Sequence, residues 1–182
     1  MKTDKLIENV TEQIKEAQLK LGFAREVIRL YFPIDSLCRL LQMEYCCGQE
    51  LLAILESDKE FEDTVLGRIR FFLCGNRIEV RISPEGADYV HRQVPDPPFL
   101  VSIIQLFREN HALTIEEICG CFQRFDSHYV CERMEPGTDF DYVLYFADHH
   151  PDPWYYCIKM EMGHTIYHRF TKEDYQALAA AI

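Results

Sequence analysis

GRIRFFLCGNRIEVRISPEGADYVHR, residues 67–92, is the stretch whose reading decides the fold. Two runs rich in β-branched and aromatic residues flank Gly75-Asn76. Glycine at the first central position of a two-residue turn supplies the positive φ that a tight hairpin needs. Pairing across that turn sets Leu73 against Ile78, Phe71 against Val80 and Ile69 against Ile82, so one face is wholly apolar. The other face sets Cys74 against Arg77, Phe72 against Glu79 and Arg70 against Arg81, with Arg68 at the end. Like charges directly opposite destabilise a sheet. The Arg70–Arg81 pair therefore requires either an anionic partner or relief by Glu79 and solvent. Arg68, Arg70, Arg77 and Arg81 are the candidate anion contacts. After the hairpin, Ser83-Pro84-Glu85 opens a helix: a serine cap, a proline in the first turn and an acid at the positive end of the dipole.

Working outward, Leu6, Val10, Ile14, Ala17 and Leu21 place an amphipathic helix over 3–21. VIRLYF, residues 27–32, predicts a strand stopped by Pro33. A short helix over 34–42 follows. A longer one runs from Gly48 to about Val65, with Leu51, Leu52, Ile54, Leu55 and Phe61 inward. Helix, strand, helix, helix, hairpin, helix is the order of a winged-helix domain, although any small α+β domain can show the same string. Val94-Pro95-Asp96-Pro97-Pro98 is the internal break. Beyond it, residues 99–110 and 114–125 predict two helices, the second opened by a Thr114/Glu117 capping box. Strands are expected over 128–134, 139–147, 154–161 and 165–170, with Phe140, Tyr142, Leu144 and Phe146 on one face of the second. Met162-Gly163-His164 marks the last turn, with the register left open, and residues 171–181 close the chain as a helix. The expected fold class is α+β. A winged-helix-like half, residues 1–94, packs on a half of two helices, about four antiparallel strands and a closing helix, residues 95–182.

The chain has 182 residues, 48% hydrophobic and 13% aromatic, enough for one ordinary domain or two very small ones. A net charge of −11 disfavours non-specific binding to nucleic acid or anionic membrane. The imbalance is concentrated in residues 95–182, with 6 Lys and Arg against 14 Asp and Glu. No apolar run is long enough to cross a membrane, and the charged N-terminus does not read as a secretion leader. Eight cysteines in such a chain predict reduced thiols in the cytoplasm.

DNA binding is the usual inference from a winged helix, but the would-be recognition helix opposes it. Residues 44–63 carry Glu44, Glu50, Glu56, Asp58, Glu60, Glu62 and Asp63 against Lys59 alone. Phosphate contacts supply most non-specific affinity, so such a helix is repelled from the groove. Metal ligands are sparse. Cys119 and Cys121 point about 200° apart on a helix, and no CxxC occurs. Asp148-His149-His150-Pro151-Asp152 is the one dense group, making Asp148, His149, His150 and Asp152 the metal candidates. Cys157 and His168 could face each other across the last hairpin, depending on register, but two buried residues in a sheet are the preferred reading. The tyrosines at 142, 145, 155, 156 and 167 suit a packed sheet, or an interaction surface where one face stays open.

Three stretches, KEAQLKLGFAREVIRLYFP (15–33), ISPEGADYVH (82–91) and DFDYVLYF (139–146) with HTIYHRFTKEDY (164–175), resemble an uncharacterised bacterial family. It is a domain-of-unknown-function family of about 180-residue proteins from gut clostridia. The resemblance covers the whole chain and brings no activity, ligand or catalytic residue with it. The expectation is a non-catalytic interaction or regulatory module that binds a protein partner or itself. The alternatives are a nucleic-acid-binding regulator using the arginine hairpin and a metal-assisted enzyme using the His149/His150 loop. No catalytic residue and no cofactor is assigned.

Overall fold

The fold is α+β, seen in a computed structural model that describes residues 3–180; residue 181, where the closing helix was expected to end, lies outside them. Two compact units divide at Pro95 and Asp96.

The first unit contains α1 (Thr3–Leu21), β1 (Ile28–Pro33), α2 (Ile34–Leu40), α3 (Gly48–Ser57), a 3-10 turn (Lys59–Phe61), β2 (Arg70–Cys74), β3 (Arg77–Ile82) and α4 (Pro84–Gln93). The three strands form an antiparallel sheet in the order β1-β3-β2. Gly75 takes φ 61°, and the β2–β3 register sets Phe71 against Val80, Leu73 against Ile78 and Arg70 against Arg81. The expected Ile69–Ile82 pair does not form. Ile69 donates its N–H to the Phe61 carbonyl at 2.9 Å, so the ladder starts one residue later, yet both side chains are buried. On the apolar face Phe71, Ile78, Val80 and Ile82 meet Leu6, Val10, Ile14, Leu51 and Leu55 in one core.

The helix expected over 48–65 is shorter. It stops at Ser57, because Asp58 takes an extended conformation (ψ 111°) and accepts the Glu60 N–H at 2.9 Å to open the 3-10 turn. Leu51, Leu55 and Phe61 are buried, but Leu52 is only half-buried and Ile54 is 38% exposed. Helix α4 starts as its sequence requires, with the Ser83 hydroxyl accepting from the Gly86 N–H at 3.4 Å.

The second unit contains α5 (Pro98–Glu109), α6 (Ile115–Gln123), β4 (Tyr129–Arg133), β5 (Tyr142–Phe146), β6 (Tyr155–Glu161), β7 (His164–Phe170) and α7 (Lys172–Ala180). Its four strands are antiparallel in the order β4-β5-β6-β7. Thr114 and Glu117 form the capping box on α6. The last turn is the two residues Met162-Gly163, both at positive φ (51° and 78°), while His164 already pairs with Glu161. Two positive φ values in a two-residue loop match the right-handed twist of the flanking strands. The core on one sheet face is aromatic: Phe99, Phe122, Phe146 and Tyr156 meet at centroid distances of 4.8–5.6 Å. Phe140 does not share the face of Leu144 and Phe146. Strand β5 begins only at Tyr142, and Phe140 packs with Val143, Tyr155 and Cys157 on the other side. Among the described residues no helix is long and apolar enough to cross a membrane.

Candidate functional site

The polar face of the first unit's sheet holds the charge pattern that the hairpin announced. The register of β1 on β3 sets Arg29 against Arg81, and that of β2 on β3 sets Arg70 against Arg81. Three arginines therefore lie in one row across the sheet. The next row is Tyr31, Glu79 and Phe72. Glu79 is 5% exposed and organises what surrounds it. Its Oε1 accepts from Arg81 Nε at 2.8 Å and Nη2 at 2.7 Å, and Arg29 Nε stands 3.9 Å away. Its Oε2 accepts from the Tyr31 hydroxyl at 3.2 Å and faces the Cys74 thiol at 3.8 Å. The hydrogen bonds from Arg81, reinforced by the positive charges of Arg81 and Arg29 and by Tyr31, outweigh burial and hold the Glu79 carboxyl below its usual range. The Arg81 guanidinium also lies 4.0 Å over the Phe72 ring. Arg81 is thus fixed from two sides.

Arg68 and Arg70 are different. Both are exposed, and neither has an ion-pair partner among the described residues. Together with Arg81 they line a groove of about 470 Å³ that also contains Ser83 and Glu85 at the start of α4. Glu85 is held below the usual carboxylate range by its own backbone N–H, by the Ser83 hydroxyl and by Arg25. Arg25 Nη2 stands 3.7 Å from it. Arg68 and Arg70 also line a second groove, of about 410 Å³, with Glu56, Asp58 and Glu62. Three of the four candidate anion contacts therefore converge. Arg77 does not; it lies at the hairpin tip, opposite Cys74 and Pro33. Arg29, which the sequence reading missed, joins through the β1–β3 register. No local signal near Arg29 specifies that pairing.

The metal candidates are placed as follows. Asp148 Oδ1 accepts the His150 N–H at 3.1 Å, and His149 Nε2 stands 3.5 Å from Lys172 Nζ. Asp152 is buried and otherwise engaged. It accepts from the Trp154 N–H at 2.9 Å and the Tyr156 hydroxyl at 3.1 Å, and it lies 3.7 Å from Arg169, whose side chain is 5% exposed. Among the described residues no group of three His, Cys, Asp or Glu side chains is arranged to hold an ion.

Cys157 and His168 do stand opposite each other. Burial pushes the Cys157 thiol up to about 12, which leaves little thiolate to act as a nucleophile. The pair is not buried as expected: Cys157 is, but His168 is exposed and packs edge-on to Phe140 at 5.4 Å. The tyrosine face is covered as well: Tyr155 stacks on Tyr145 at 4.3 Å and on Tyr175 of α7 at 4.8 Å. Tyr175 supplies a cover that the strand sequences could not announce. Cys46 likewise meets Cys38, Sγ to Sγ at 4.0 Å, rather than its neighbour Cys47.

A family model spanning residues 3–179 matches the chain, and the chain belongs to that family, the domain of unknown function DUF3877 described from an E. rectale gene. No curated protein and no solved structure matches it.

Proposed function

We propose that the chain is a non-catalytic interaction module whose first unit takes an acidic segment of a protein partner on its arginine face. The observation that carries this reading is the row Arg29–Arg81–Arg70 beside Arg68, in which Glu79 is, among the described residues, the only carboxylate paired to the row. Planar guanidinium forks match carboxylates two bonds at a time. The element order and the β1-β3-β2 sheet support a winged-helix-like character for this unit. Helix α3 and its flanks, from Glu44 to Asp63, keep the excess of acids that repels duplex DNA. Eight free cysteines suit a reducing cytoplasm.

The test is fluorescence anisotropy of the full chain with a labelled Glu-rich peptide and with mixed-sequence duplex DNA, at about 50 and 200 mM salt. The peptide should bind, more weakly at the higher salt, and binding should be lost in the double variant Arg29→Gln/Arg70→Gln. Tighter binding of the duplex, lost in the same variant, would replace this reading with a nucleic-acid-binding regulator. Binding of neither probe would end both.

A further inference from the structure

We infer that the groove between the start of β2 and the first turn of α4 binds a phosphate monoester carried on a side chain of the partner, held by Arg68 and Arg70 with Arg81 as a fixed third cation. This rests on the interaction-module reading above and names the chemical group that its site recognises.

Charge is the first argument. Arg81 already holds Glu79, and Glu85 is matched by Arg25, 3.7 Å away. The two charges left in the groove are those of Arg68 and Arg70, which have no ion-pair partner among the described residues. A single carboxylate answers one of them. A phosphate monoester carries about −1.5 to −2 at neutral pH and presents three strong acceptor oxygens, so it answers both. The cross-strand register supplies the second argument. Arg70 faces Arg81 directly, which places their Cβ atoms roughly 5 Å apart. Two guanidiniums can reach one tetrahedral group from that spacing. Arg81 is pre-organised by its two bonds to Glu79 and by the Phe72 ring, so little side-chain freedom is lost there on binding.

Two further features select a phosphorylated side chain over a nucleic-acid backbone. Glu56, Asp58 and Glu62 line a second groove that shares Arg68 and Arg70, and they oppose any chain of phosphates that continues into it. A volume of about 470 Å³, walled in part by Val27, Ile82 and Pro84, leaves room for apolar residues flanking the phosphate. Glu85 is the resident competitor: its carboxylate lines the same groove and repels an incoming anion.

The experiment is titration calorimetry on the full chain with three probes: a short Gly/Ser peptide carrying one phosphoserine, its unphosphorylated twin, and inorganic phosphate. The phosphopeptide should bind roughly tenfold or more tightly than either other probe, and Arg68→Gln and Arg70→Gln should each weaken it by roughly tenfold or more, the weight of a charged hydrogen bond. Glu85→Gln should tighten it, while Arg77→Gln should leave it unchanged. Circular dichroism of each variant confirms that the fold is intact, since all four positions are exposed. Equal binding of the twin would overturn the proposal. Inorganic phosphate binding as tightly as the phosphopeptide would overturn the peptide source and make free phosphate the ligand. Loss of the phosphopeptide with the Glu-rich peptide still bound rejects this site and leaves the module reading standing; loss of both rejects both.

Discussion

Glu79 resolves the like-charge pair that the hairpin sequence exposes. A buried carboxylate takes two hydrogen bonds from Arg81 and one from Tyr31, and the arginine row is built around it. Glu79→Gln keeps the shape and removes the charge. It should cost about 1–2 kcal/mol near neutral pH, at the lower end for charged hydrogen bonds because Arg81 is one-third exposed. The pH dependence has a definite sign. Arg81, the positive charges around it and Tyr31 lower the folded-state pKa of Glu79 below its ordinary 4.5. The folded chain therefore holds this proton less tightly than the unfolded chain. The stabilisation is fully present above the unfolded pKa and is lost as pH falls through the folded one. Urea denaturation of wild type and Glu79→Gln should show a stability gap near neutral pH that closes under acid conditions below 4.5. A gap that stays constant into acid would mean that Glu79 acts by packing alone.

At the scale of elements, α4 docks by a contact that no local pattern records. A Cβ on Gly86 would stand 2.5 Å from Ile82 Cγ2 and 2.5 Å from the Leu66 carbonyl oxygen. The second of these is backbone and cannot rotate away. Gly86→Ala should therefore destabilise the chain by about 1–3 kcal/mol, the usual cost of overpacking, although alanine favours helix over glycine by about 1 kcal/mol. A thermal melt at or above wild type would show that the helix start shifts freely. The same contrast explains what could be read in advance. Alternation and a two-residue turn fixed the Phe71–Val80 and Arg70–Arg81 pairs, because both signals are local. The end of α3 was not legible, since Ser57-Asp58-Lys59 has neither glycine nor proline and Phe61 kept the apolar count going. Arg68, Arg70 and Arg81 were visible as a group, but Arg29 was not: its place depends on pairing with Arg81, just over fifty residues away in sequence, and pairing across that distance leaves no mark on the residues beside it. Arg77 alternates on the correct face, yet rows of a sheet are fixed by register, and its row ends at Cys74 and Pro33.

At the scale of the whole molecule, the eight cysteines give a test that reads both units at once. All are free. A thiol reacts through its thiolate, so exposure and pKa decide its rate together. Cys38, Cys121 and Cys157 are buried, and burial pushes Cys121 up and Cys157 to about 12. Cys46 rises to about 11 by burial and by its contact with Cys38. Cys131 is exposed, yet partial desolvation and its hydrogen bond with Cys119 push it to about 12. Exposure alone would therefore name three reactive thiols: Cys47, Cys74 and Cys131. Adding thiolate character removes Cys131 and leaves Cys47 and Cys74. Titration of the native chain with a chromogenic disulfide reagent near pH 8 should show two fast thiols, Cys47 and Cys74. The remaining cysteines should wait for denaturation, after which all eight should react. Cys131 labelled at the rate of Cys47 would contradict the Cys119 contact, and fewer than eight thiols in denaturant without reductant would reveal a disulfide and remove the case for a reducing compartment.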